Sequence, residues 1–92
     1  MARDRARDRD MILNPSKWPM LDVLPMTKGV NGTEVLGVII NYPVLTMFDP
    51  LNVVWLENMF FLPSTFEELE ETVERAVFNS VDELLNAGWE VN

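Results

Sequence analysis

The chain has 92 residues, 48% of them apolar and 24% charged, with a net charge of −8 and neither cysteine nor histidine. That length supports one small domain. The composition excludes disulfides, thiolate metal sites and thiol catalysis; it also removes the usual proton shuttle near neutral pH and the commonest transition-metal ligand.

The first eleven residues form a charged arm. Arg3, Arg5, Arg7 and Arg9 alternate with Asp4, Asp8 and Asp10, with no apolar residue to offset the ordering entropy. The arm is expected to be disordered or to order on a neighbouring subunit. It is not a secretory signal, because no apolar stretch follows the arginines. No apolar run reaches membrane-spanning length, so the expectation is a soluble, cytoplasmic protein. Outside the arm three bases, Lys17, Lys28 and Arg75, face twelve acids. A body this acidic repels nucleic acid and suits a basic partner.

Residues 12–92 read as a single α+β domain. Pro15, Pro19 and Pro25 rule out helix in the lead-in and favour an edge strand near 20–28. Asn31-Gly32 supplies the positive φ angles of a tight hairpin. Residues 34–41 follow as a strand apolar on both faces, and therefore central. A short strand near 44–48, a turn at Asp49-Pro50-Leu51-Asn52 and a longer strand near 52–60 complete an antiparallel meander of three to four strands.

C-terminal helices are expected to pack on one face of that meander. Ser64 stands three residues before Glu67, the spacing of a capping box. Phe66, Leu69, Val73, Ala76 and Val77 then fall on one helical face. A second box, Ser80 and Glu83, starts a short helix over 81–87; Gly88 stops it, and Trp89-Glu90-Val91 extends beyond. The ending FNSVDELLNAGWEVN resembles that of many small phage-encoded and bacterial proteins, which run S-x-D-E-L-L-x-x-G-W-x-V. The resemblance covers only these fifteen residues. It implies a phage origin and no activity.

No catalytic signature is present. Ser16, Ser64 and Ser80 have no histidine to activate them. Asp22, Glu34, Asp49 and Glu57 lie in the sheet region, but a domain this small lacks the cleft that carboxylate-pair catalysis needs. Glu67, Glu70, Glu71 and Glu74 follow an i, i+3, i+4, i+7 spacing that splays them along a helix and cannot wrap one ion. The chain is therefore expected to be no enzyme and to hold no cofactor or metal.

Two surfaces compete for a partner. Three tryptophans and five phenylalanines are hard to hide in one thin layer, so Trp55, Met59, Phe60, Phe61, Trp18 and Trp89 are the apolar candidates. In an extended strand, residues 59–62 would alternate between the sheet faces and expose half of themselves to a neighbour. The acidic candidates are Glu67, Glu70, Glu71 and Glu74. Glu67 and Glu68 suit a helix N-terminus and Glu71 suits an i, i+4 pair with Arg75, whereas Glu70 and Glu74 repel. The first reading is a non-catalytic assembly subunit, with a phage particle as the expected setting, forming a homo-oligomer or larger assembly with protein partners through its apolar face and arm. The alternative is a small acidic inhibitor that occupies the basic groove of a host enzyme. Neither reading involves a membrane or direct nucleic-acid binding.

Overall fold

In the computed structural model, residues 5–20, 22–41 and 49–92 are described. The strand expected near 44–48 and Arg3 of the arm lie outside them. The strands are β1 (Val23–Val30), β2 (Thr33–Ile40), β3 (Val53–Trp55), β4 (Arg75–Val77) and β5 (Glu90–Val91). The helices are α1 (Arg5–Leu13), α2 (Phe66–Thr72) and α3 (Val81–Asn86), and short 3-10 turns occupy Pro15–Lys17, Pro50–Asn52 and Met59–Phe61. The fold is the expected α+β class, with five strands among the described residues where three to four were anticipated.

The β1–β2 hairpin closes where the sequence places it. Val30 pairs with Thr33, and Asn31 and Gly32 take φ values of 51° and 79°, the left-handed pair that a two-residue turn requires. The sheet is antiparallel throughout and ordered β4-β3-β2-β1-β5, so β2 is central as expected. β1 is not an edge, although it contains Pro25. The carbonyl of Pro25 accepts from the N–H of Asn92, so its ring nitrogen also faces β5. The donor that proline lacks is therefore on the side where β5 is just ending, and the long ladder to β2 loses nothing.

Each sheet face carries its own core. On the first, Leu24, Met26, Ile39 and Val54 meet Ile12 of α1, Val81, Leu84 and Leu85 of α3, Trp18 and Trp89. On the second, Val38, Ile40, Val53 and Trp55 meet Leu69 of α2, with Met59, Leu62, Phe66 and Val73 packed around them. Helices thus lie on both faces: α2 covers one, and α1 and α3 share the other.

The helix expected to continue through Val77 ends at Thr72, and residues 75–77 form a strand instead. Val53, Val54 and Trp55 pair with Val77, Ala76 and Arg75 respectively. Without β4, one side of β3 would bury backbone groups unpaired; pairing with β4 outweighs the roughly one and a half further turns of helix. The N-cap of α2 is Thr65, whose hydroxyl accepts from Glu68 N–H, and not Ser64. Ser80 does cap α3, accepting from Glu83 N–H at 3.1 Å, while the Glu83 carboxylate accepts from Asn79 N–H. Gly88, at φ 101°, ends α3 and turns the chain into β5.

Residues 5–11 of the arm continue into Ile12 and Leu13 as α1, which docks on its own chain. Ile12 is fully buried. Arg5 donates to the Asp82 carbonyl, and Arg9 pairs with the Asp82 carboxylate at 3.0 Å. The arm was expected to lack an apolar anchor because Ile12 lies just beyond its boundary.

Candidate interaction surface

Three of the six apolar candidates belong to the core. Trp18, Trp55 and Trp89 are all buried, which withdraws them from any surface. Trp18 fastens the lead-in, its indole N–H donating to the Met11 carbonyl at 2.7 Å. Trp89 lies over Gly37, close enough that a Cβ there would meet its ring at 3.0 Å, and Lys28 rests above the same ring. Trp55 sits beneath the Arg75 guanidinium, 5.5 Å from the ring centroid. Its indole N–H has no hydrogen-bond partner among the described residues.

Phe60 and Phe61 are the opposite case, 81% and 72% exposed. Their exposure has a local cause. The strand stops at Trp55, and the Asn58 side chain accepts from Phe60 N–H. This side-chain turn competes with sheet pairing and winds Met59–Phe61 into a 3-10 turn. Alternation between sheet faces is lost. Met59 is half-buried against the second core, while the two rings swing outward. Beside them a hollow of about 140 Å³ is lined by Pro25, Leu36, Asn58, Met59, Phe60 and Asn92.

The acidic candidates do not form one helical row. Glu67, Glu70 and Glu71 are exposed on α2, but the helix ends at Thr72 and leaves Glu74 on the extended link to β4. The helical spacing expected for Glu71 and Arg75 is lost, since Arg75 lies in a strand with its guanidinium over Trp55. Glu70 and Glu71 fall in the last turn of α2, which carries no base; the helix dipole disfavours carboxylates there.

No family model, curated protein or solved structure matches the chain. Its chemistry is therefore read from its own groups. A cleft of about 480 Å³ lies between Asp22, Val23 and Ile40 on one side and residues 62–66 with Leu69 on the other. Among the described residues, Asp22 is the one ionisable side chain in that lining. The other carboxylates once placed in the sheet region serve turns or solvent. Asp49 accepts from Leu51 N–H, Glu57 accepts from Asn58 N–H, and Glu34 is exposed beside the hairpin. Among the described residues, no three acidic side chains converge on a common metal position, and no helix is long and apolar enough to cross a membrane.

Of the arm's arginines, Arg5 and Arg9 both engage Asp82. Asp8, which the sequence reading passed over as one more arm charge, is buried against β5. The structure also adds an exposed valine, Val77, at the outer strand of the sheet.

Proposed function

We propose that the chain is a non-catalytic protein-interaction subunit that assembles with copies of itself through Phe60 and Phe61. The observation that carries this reading is the exposure of two adjacent phenylalanines on a turn whose Phe60 N–H is received by the Asn58 side chain. Burying a phenylalanine is worth about 1.5–3 kcal/mol, so two rings from each of two copies supply a substantial association energy. Residues 58–66 carry no charge. Copies of an acidic protein can therefore meet at this stretch with little like-charge repulsion. The setting that fits this reading, and the resemblance of the C-terminal ending, is a phage assembly in the host cytoplasm or the virion.

The test is the mass in solution, by light scattering after size exclusion, at low and high salt. The wild-type chain should exceed its monomer mass of 10.6 kDa in both, since apolar contacts are little screened. The double variant Phe60→Ser, Phe61→Ser should run as a folded monomer. A wild-type monomer under both conditions would overturn the reading.

A further inference from the structure

The second core stops short of the β1–β2 hairpin. Leu36, Val38 and Ile40 share one face of β2 by alternation, and Pro25 stands opposite Val38 on β1. Val38 and Ile40 belong to that core with Leu69 of α2; Leu36 lies beyond them, half-buried. The hollow of about 140 Å³ beside Phe60 opens there. Pro25, Leu36, Asn58, Met59 and Asn92 are in its lining and, among the described residues, no charged side chain is. Its size suits one phenyl ring, since an apolar cavity of about 150 Å³ suffices to bind benzene. Phe60 borders the hollow. Phe61, 72% exposed, lies outside the lining, as successive side chains of a 3-10 turn point about 120° apart.

We infer that the hollow receives the Phe61 ring of a second copy, in a twofold contact in which each chain gives a ring and takes one. This rests on the reading that copies assemble through Phe60 and Phe61, and it names the seat that receives them. Ring and hollow lie side by side on one molecule. That is the self-complementary arrangement a twofold axis requires, in which residue i meets j and j meets i. Phe60, bordering the hollow, then flanks the incoming ring, an aromatic pair that adds to the area buried. The four rings of a pair and the walls they meet bury on the order of 1,000 Å², about what a specific interface needs. Two chains that each carry −8 repel one another. Their contact is least opposed where neither presents a charged side chain, as at this hollow.

The experiment measures mass by light scattering over a concentration series, for the full chain and for two variants, alone and mixed. Phe61→Ser removes the ring and keeps the hollow. Leu36→Trp keeps the ring and fills the hollow. Each alone should self-associate more weakly than wild type, on the order of thirtyfold, as loss of a hot-spot contact does. Mixed in equal amounts they should associate more tightly than either alone, because one ring and one hollow then match. Should Leu36→Trp not fold, Asn92→Trp carries the same test, since Asn92 is exposed and its bond to the Pro25 carbonyl comes from the backbone N–H. Isotope-filtered NMR on mixed labelled and unlabelled wild-type chains should place the Phe61 ring of one copy against Leu36 of the other. If the filled hollow associates as tightly as wild type while Phe61→Ser does not, the inference is overturned and assembly through the phenylalanines stands. A mixture no tighter than either variant alone also overturns the inference. A wild-type monomer overturns both.

Discussion

Asp8 accepts the backbone N–H of Val91 at 3.3 Å, across 83 positions of sequence. One carboxylate of the first helix thereby closes the last strand. It is 7% exposed, and a hydrogen bond to a charged acceptor contributes about 1.5–3 kcal/mol; at this length the lower end applies. Asp8→Ala should lower unfolding stability by about 1–2 kcal/mol in urea titration. It should also speed exchange of the Val91 amide while leaving the β2 amides slow.

Charge is not what holds α1 in place. The Arg9–Asp82 pair is half solvated, at 51% and 56% side-chain exposure, and pairs of that kind are worth about 0–1 kcal/mol. Ile12 is fully buried, and truncating such a side chain to alanine costs about 2–5 kcal/mol. Ile12→Ala should therefore destabilise the chain several-fold more than Arg9→Ala. Raising the salt should barely change the difference between the two variants.

Gly37 marks the tightest approach in the first core. A Cβ there would stand 2.6 Å from Val54 Cγ1 and 3.1 Å from the Trp55 carbonyl. Overpacking of this kind costs about 1–3 kcal/mol. Gly37→Ala should lower the Tm by roughly 5–20 °C for a domain of this size. Gly29, with nothing within 4 Å, is the control: Gly29→Ala should leave the Tm unchanged or slightly raised.

The caps can be told apart by three serine and threonine variants. Ser80→Ala and Thr65→Ala each remove an observed cap and should each cost about 1 kcal/mol. Ser64→Ala should fall within roughly ±0.5 kcal/mol, as surface changes usually do. Equal losses at Ser64 and Thr65 would reverse the assignment of the α2 cap.

Where local chemistry has one solution, the sequence was readable. Asn31-Gly32 admits only a tight hairpin, and Ser80 with Glu83 ahead of Leu84-Leu85 admits only a capped helix. Residues 73–77 were ambiguous by construction. Val73, Ala76 and Val77 share a helical face, yet Val73, Arg75 and Val77 also share a strand face. The decision was made by β3, some twenty residues upstream, which lacked a neighbour. The helix over residues 5–13 was illegible for the same reason: its acidic anchor, Asp82, and its apolar seat under α3 are both remote in sequence. Among the aromatics, nothing local separates Trp55 from Phe60. The difference is the Asn58 turn between them, which ends the strand before the phenylalanines arrive.

The junction of α1 with α3 and β5 also sets an order of events. A ribosome makes α1 before any strand, yet the surfaces that receive it are the last of these elements to be synthesised. Until they appear, Ile12 and Trp18 have only part of their seat, and the outer side of β1 has no partner. A chain arrested before residue 80 would carry an exposed apolar helix face and an open strand, both ready substrates for chaperones and proteases. Seating of α1 thus waits on residues 81–91, because only a chain that has reached α3 and β5 can put that helix away.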